Sequence, residues 1–260
     1  MERINTAARL VRRMGFRGYM HLKVIPGASD AAIEDTLSLA HSVSINIETP
    51  GQSHFKKLCG TKDFTRDIIR PLKLISELTG PGGRFHRKRQ TTQFVVGAAD
   101  ESDREIVQYT SAAYERLRMQ RVYYSAHQPI DQPEEEFRLV PGREPFRANH
   151  DALTREHRLY QADFLMRKYG FAGDEIPFGE DGNLSLTTDP KETWAAMHPD
   201  LFPLDINRAD EHELLRVPGL GPITVQRILR MRLDGGMIRR ISDIGKPGKL
   251  LRKAEGYLKF

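Results

Sequence analysis

Two periodicities alternate along the first half of the chain, and this alternation restricts the fold more than any other feature. Four apolar runs have the length and composition of buried strands, and they lie at residues 19–25, 43–47, 93–97 and 121–125. Segments with helical spacing precede or separate them, at residues 2–14, 29–40, 63–79 and 101–118. Because strands separated by helices pair in parallel through right-handed crossovers, we predict an α/β fold with a parallel sheet.

The ends of the predicted strands supply the candidates for binding a ligand, since functional groups gather at the C-terminal edge of parallel sheets. Glu48 is placed either to bind a ligand or to cap the helix that follows. We expect the Lys23 side chain either to point inward or to form a salt bridge at the sheet edge. Gly97 either lets a ligand approach the backbone closely or simply ends its strand. Ser125 lies at the end of the last strand. The residues at these strand ends do not supply a nucleophile, a general base and a group that orients the base, so the catalytic residues are unknown.

A second pattern, over residues 204–232, predicts two short helices joined by a tight turn. We expect Asn207 to cap the first helix and Leu214 and Leu215 to form its apolar face. Pro218 ends that helix, and Pro222 suits the first position of the next one. The second helix then begins with free backbone amides, an arrangement that binds phosphate. An ordinary helical hairpin with a glycine turn is the alternative.

The turn and the arginines after it resemble a helix-hairpin-helix, a motif with which repair proteins hold the DNA backbone without reading bases. The glycines permit the tight reversal and leave space for a phosphate. The residues that we expect to contact DNA are Gly219, Leu220, Gly221, Thr224, Arg227 and Arg230.

The distribution of charge agrees with a DNA partner. The chain has a formal net charge of +5. Residues 204–260 contain twelve Lys/Arg and seven Asp/Glu, so they carry this whole excess and residues 1–203 are balanced. A basic segment of this kind supplies affinity for DNA that does not depend on base sequence, although a solvated basic tail has the same composition.

Composition narrows the class of protein further. Hydrophobic residues make up 39% of the chain and charged residues 29%, which is typical of a globular protein. We expect no membrane partner, because no apolar run is long enough to cross a bilayer. The single cysteine, Cys59, permits no internal disulfide and no metal cluster, which favours a cytoplasmic location and predicts no metal ligands.

We predict three segments: 1–130, an α/β domain; 131–203, a loop and helical connector; and 204–260, a small all-α hairpin domain. The connector contains a helix over about 151–170. Its buried side is predicted to comprise Leu153, Leu159, Tyr160, Phe164 and Leu165. A degenerate second hairpin is expected over 241–257.

Four segments together resemble one family, the radical S-adenosylmethionine proteins of DNA modification and repair. They lie at residues 21–28, 92–98, 123–126 and 155–163. The resemblance implies a partial parallel (β/α) barrel that holds S-adenosylmethionine beside a [4Fe–4S] cluster. It implies Lys23, Glu48, Gly97 and Ser125 as the S-adenosylmethionine pocket. It also implies a functional link to relatives of uracil-DNA glycosylase.

The chain departs from that family in one respect. The family's cluster is held by a Cys-x3-Cys-x2-Cys motif, and this sequence has no such motif. We therefore expect no cofactor in the chain as it stands and a truncated or degenerate enzyme, whose cluster would come from an upstream fragment as a partner. A non-enzymatic helix-hairpin-helix adaptor protein is the alternative.

Overall fold

Four parallel strands form the centre of the N-terminal part of the protein. The structure, a computed structural model, describes residues 1–128 and 150–260. The strands pair side by side in chain order, and they are β1 (His21–Lys23), β2 (Ser42–Ser44), β3 (Arg89–Val96) and β4 (Arg121–Ala126). The parallel α/β sheet predicted from the alternating pattern is confirmed. Closure into a barrel stays a prediction.

Helices flank this sheet, and all but one of those named next agree with the predicted segments to within a few residues. They are α1 (Glu2–Arg13), α2 (Asp30–Leu39), α3 (Gly51–Leu58), α4 (Arg70–Thr79) and α5 (Asp103–Leu117). A π-helical turn, Thr65–Ile69, leads directly into α4. The sequence pattern did not predict α3, because its eight residues bury only one apolar side chain, Phe55.

The core of this part lies between the sheet and the helices. Val43 and Phe94 on the strands and Ile33, Leu72 and Ile106 on the helices are completely buried. A capping box fixes the start of α5, where the Ser102 hydroxyl accepts a hydrogen bond from the Glu105 amide and the Glu105 carboxylate binds the Ser102 amide.

One expectation about the sheet is wrong. The apolar run at 19–25 suggests a strand buried on both faces, but His21 and Lys23 on β1 are exposed, and so are Tyr19 and Ile25 beside it. Met20 and Val24, which alternate with these residues, are buried, so only one face of β1 is covered. Within the described residues β1 also pairs with β2 alone, so it forms an edge of the sheet.

The chain divides into two compact units, Met1–His157 and Arg158–Phe260, and the division falls within α6 (His150–Tyr169). The predicted buried side of α6 needs correction, since Leu153 and Phe164 are exposed while Leu159 and Leu165 are buried. The Phe164 ring instead packs near the Tyr169 ring, with centroids 5.8 Å apart. The domain boundaries at 130 and 203 stay predictions.

The second unit continues with short elements. They are α7 (Pro190–Met197), β5 (Leu204–Asp205), α8 (Glu211–Arg216), α9 (Pro222–Leu233), α10 (Ile241–Ile244), α11 (Lys249–Glu255) and β6 (Leu258–Lys259). Strands β5 and β6 pair in parallel. One apolar cluster unites α8 to α11, and its fully buried members are Ile206, Leu214, Val217, Val225, Ile228, Ile238 and Ala254. The helical segments predicted within 241–257 correspond to α10 and α11.

None of the helices within the described residues combines the length and the apolar character that crossing a bilayer requires.

His54 fastens α3 to the segment that follows β3. Its Nδ1 atom lies 2.7 Å from the Ala99 carbonyl oxygen, and its Nε2 atom lies 3.1 Å from a Glu105 carboxylate oxygen. Burial lowers the pKa of His54, but the hydrogen bonds to Ala99 and Glu105, with the Glu105 charge, outweigh it and raise the pKa above its ordinary value.

The raised pKa of His54 predicts a pH-dependent stability. Its contribution is fully present below about pH 6.5, the ordinary histidine value, and is lost as the pH rises through the higher folded value. We expect the free energy of unfolding to fall over this window, and His54→Gln to remove that fall. Urea unfolding at a series of pH values measures it, with exposed His86→Gln as the control. Equal pH dependence in wild type and His54→Gln would contradict the assignment.

Candidate functional site

The first hairpin helix begins later than the sequence suggests. Asn207 is not its cap; α8 starts at Glu211, and Asp210 is the capping residue, in a capping box with Glu213. Asn207 instead binds both backbone groups of Ile238, at 2.8 and 2.9 Å. The expected Asn207 cap is therefore wrong, because its amide side chain ties the chain before α8 to the segment after α9.

The turn between α8 and α9 rests on the apolar cluster. Val217 and Leu220 are buried, and the Leu220 amide donates to the Val217 carbonyl at 3.1 Å. The Leu220 carbonyl accepts a hydrogen bond from the Lys191 ammonium at 2.7 Å. Leu220 therefore has both backbone groups satisfied, and its side chain belongs to the core.

The two glycines of the turn have different physical roles. Gly219 has a φ of +88°, and a Cβ atom there would lie 2.2 Å from the Leu250 carbonyl oxygen on α11. Glycine is thus required at 219 because two backbone segments touch there. Gly221 precedes α9 with a φ of −111°, and a Cβ atom there would lie 3.4 Å from the Tyr169 hydroxyl oxygen.

The start of α9 presents free hydrogen-bond donors. No side chain caps this 12-residue helix, and its first turn holds no acidic residue. Within the described part of the chain, no acceptor binds the amides of Gly221, Ile223 and Thr224. Ile223 is 77% exposed, so this helix end faces solvent. Free amides and the positive end of the helix dipole together attract an anion.

The arginines after the turn do not act as one group. Arg227 donates to the Ile244 carbonyl at 2.9 Å, at the end of α10. Arg232 binds the carbonyl of Ala209, so it braces the chain before α8. Arg230 is exposed and has no ion pair or hydrogen bond with the described residues. The whole Arg230 guanidinium is therefore available to a phosphate, and Arg227, which is also exposed, keeps N–H donors beyond the one bound to Ile244.

Two buried cations beneath the hairpin were missed by sequence reasoning. Arg216 at the end of α8 binds Glu175 at 2.7 Å and stacks on the Phe171 ring at 4.1 Å. Lys191 on α7 supports Leu220. Nothing in the local sequence distinguishes Arg216 or Lys191 from a solvated basic residue, since their partners are distant along the chain.

At the edge of the parallel sheet, the four predicted ligand-binding residues do not all come together. Glu48 pairs with Phe94 of β3, which pairs with Tyr124 of β4, so Glu48 lies one residue from the level of Ser125. The register of the strands instead places Lys23 level with Arg121, four residues before Ser125. The assignment of these residues to an S-adenosylmethionine pocket stays a prediction.

The segments after β2 and β3 adopt unusual backbone conformations. Glu48 has a φ of +66° and Asp100 a φ of +55°, which are rare for residues other than glycine. Gly97, at +83°, does not offer a free amide, because its N–H donates to the Glu101 carboxylate. The same carboxylate accepts from the Ala99 amide at 2.9 Å. The Glu101 carboxylate thus holds the turn after β3 by accepting hydrogen bonds from two of its backbone amides.

Residues of α6 fasten this turn and β4. The Arg155 guanidinium binds the buried Asp103 carboxylate at 2.6 Å and lies 3.9 Å from the Glu101 carboxylate. The Glu156 carboxylate accepts from the Ala126 amide at 2.7 Å, at the end of β4. These contacts give Arg155 and Glu156 a structural role at the sheet edge.

The residues present do not fit an iron–sulfur cluster. Such a cluster needs three or four thiolate ligands, and the chain has one cysteine, Cys59. The described residues also contain no group of three histidine, cysteine or acidic side chains placed to hold a metal ion. We therefore assign no chemistry through a cluster to this chain.

An open cleft of about 580 Å³ lies beside α4 and α5. Its polar and charged lining includes Thr65, Lys73, Gln108, Tyr109 and Arg116. No motif in the sequence indicates it, because these side chains come from separate helices and from the π-helical turn.

Comparison with protein-family models, with curated proteins and with solved structures finds no match for this chain.

Arg155 provides a test of the sheet-edge geometry. Replacement by alanine leaves the Asp103 and Glu101 carboxylates, both buried, without this cation. We expect Arg155→Ala to lower the free energy of unfolding by about 3–5 kcal/mol, the usual effect of removing one partner of a buried pair. Urea unfolding measures it, with exposed Lys168→Ala on the same helix as the control. A loss in Arg155→Ala no larger than in the control would contradict the bracing role.

Gly219 tests the packing of the turn. We expect Gly219→Ala to destabilise the protein by about 2–4 kcal/mol, because the new Cβ meets the Leu250 carbonyl and the backbone conformation is unfavourable for alanine. Gly256→Ala is the matched control, since a Cβ there makes only an ordinary contact, 3.8 Å from the Lys253 carbonyl oxygen. Thermal unfolding of both variants decides the question, and equal stability would refute this account of the turn.

Proposed function

We propose that this chain binds the phosphate backbone of DNA, without regard to base sequence, through the start of α9. The observation that carries the proposal is the set of free amides at Gly221, Ile223 and Thr224, on an uncapped helix end that faces solvent. Phosphate oxygens are the natural acceptors for such donors, and they carry no base information.

Charge and shape support the same partner. Residues 204–260, which include this helix end, carry the +5 excess, and Arg230 is free to contact a phosphate. The packing of Gly219 against α11 keeps the turn narrow. The order of two short helices, a glycine turn and a further helical pair is typical of a helix-hairpin-helix, and we include that identity in the proposal.

We also propose that the chain is related to the radical S-adenosylmethionine proteins of DNA modification and repair, with its parallel sheet as part of a (β/α) barrel. A cluster would need cysteines from another polypeptide, because this chain has one. The same proposal allows relatives of uracil-DNA glycosylase and an upstream cysteine-bearing fragment as partners. The non-enzymatic adaptor remains the second candidate, favoured by the single cysteine.

The DNA proposal is tested by salt titration. We expect fluorescence anisotropy to give equal affinity for two duplexes of unrelated sequence and a steep loss of affinity with salt. Arg230→Ala should weaken binding to both duplexes alike and reduce the salt slope by about 1, because one phosphate contact is lost. Lys168→Ala, an exposed cation on α6, is the matched control and should leave the slope unchanged.

Three results would count against the proposal. They are a flat salt response, a strong preference for one of the two sequences, and an unchanged slope in Arg230→Ala. A slope reduced equally by the Lys168 control would indicate diffuse attraction to the whole surface instead of a site at α9.

A further inference from the structure

Lys191 lies buried directly beneath the hairpin turn. It is the second residue of α7, and 8% of its surface is exposed. Its ammonium donates to the Leu220 carbonyl oxygen at 2.7 Å and lies 4.4 Å from the centre of the Tyr169 ring. A buried ammonium is unfavourable unless it is hydrogen-bonded and its charge is balanced, so its presence at this position calls for an explanation.

The charges around Lys191 balance it only in part. Asp189, the capping residue of α7, is a carboxylate whose charge acts on Lys191, but Asp189 also lies 4.0 Å from the Lys253 ammonium. Glu192 is paired with Lys253. Arg216 adds a like charge, although Glu175 binds its guanidinium. Lys191 has no carboxylate of its own among the described residues.

The hydrogen bond from Lys191 fixes the direction of the Leu220 carbonyl at the start of α9. The amides of a helix's first turn have no acceptor within the helix, and one more turn at the start of α9 would pair the Thr224 amide with the Leu220 carbonyl. Here it accepts from Lys191, and the Thr224 amide has no acceptor among the described residues. The Leu220 carbonyl and the Gly221 amide also share one peptide group, and in a trans peptide they point in opposite directions. With the carbonyl turned to Lys191, the Gly221 N–H points away from it.

We propose that Lys191 is a positioning residue, whose charged ammonium holds the Leu220–Gly221 peptide so that the Gly221 and Thr224 amides face a DNA phosphate. This inference rests on the proposed function. It makes DNA binding depend on the protonation of Lys191, which the hairpin alone would not do, because the ammonium also places a positive charge behind the phosphate site. Loss of the proton removes that charge and weakens the hold on the peptide.

The charge on Lys191 changes near neutral pH. Burial lowers its pKa to about 7, Asp189 opposes this shift, and Arg216 adds to it. Tyr169 does not change charge in this range, because burial and Asp189 raise its pKa. The charge of His212 acts on Glu175, the partner of Arg216. DNA affinity should therefore fall as the pH rises through about 7.

The Leu220–Gly221 peptide group reports directly on the charge of Lys191. Leu220–Gly221 is the only Leu-Gly dipeptide in the sequence, so leucine labelled with ¹³C at the carbonyl and glycine labelled with ¹⁵N give a single correlated signal from the full chain. We expect this signal to shift with a midpoint near pH 7 in wild type and in His212→Gln. Lys191→Met, which keeps a four-atom stem and removes the ammonium, should abolish the shift.

DNA affinity is measured on the same proteins by anisotropy. We expect wild type to lose roughly three- to tenfold in affinity between pH 6 and pH 9, as one positive charge behind the phosphate disappears. Lys191→Met should have the weak affinity of high pH throughout, and Lys168→Met should behave as wild type. Circular dichroism checks that each variant folds. If Lys191→Met does not fold, wild type alone provides the test: the midpoint of the peptide-signal shift and the midpoint of the affinity loss must fall at the same pH.

The outcomes separate this inference from the proposed function. Absence of DNA binding at every pH refutes the proposed function, while the labelled peptide still decides whether Lys191 controls the turn. A peptide signal that does not titrate, or that titrates equally in Lys191→Met, overturns the inference. Binding that varies with pH identically in wild type and Lys191→Met overturns it too.

Discussion

The contact of the Val217–Gly221 turn with its surroundings is the constraint on which the rest of the second unit depends. On one side Gly219 touches the α11 backbone so closely that no side chain fits between them. On the other side Lys191 binds the Leu220 carbonyl. The apolar cluster from Ile206 to Leu258 packs around this turn, so the orientation of α9 and its free amides follows from how the turn is held.

The first unit uses a similar device at the edge of its sheet. Carboxylates satisfy backbone amides there, with the buried Glu101 holding the turn after β3 and the partly buried Glu156 the end of β4. Arg155 compensates the buried charge, so α6 and the strand ends are linked electrostatically as well as by packing. In both units polar side chains, several of them from distant parts of the chain, hold a backbone segment in its shape.

Sequence reasoning succeeded where a signal is local and periodic, as in the four parallel strands and the start of α9 at Pro222. It was wrong where two local solutions compete. Asn207 and Asp210 are both good caps, and only the contact of Asn207 with Ile238 decides between them. It also overestimated the burial of β1, because an apolar run does not reveal whether one face of a strand is covered or both are.

The sequence by itself determined the alternation that gives a parallel sheet, the glycine turn between two helices, the basic C-terminal segment and the single cysteine. These properties depend on residue type and short spacing. The tertiary structure alone decided which cations are structural and which are free: Arg227 braces a neighbouring helix, Arg230 faces solvent, and Lys191 lies under the turn. The reason is that a charged side chain's role depends on its burial and partners, and those partners lie 17 residues away for Arg227 and 29 for Lys191.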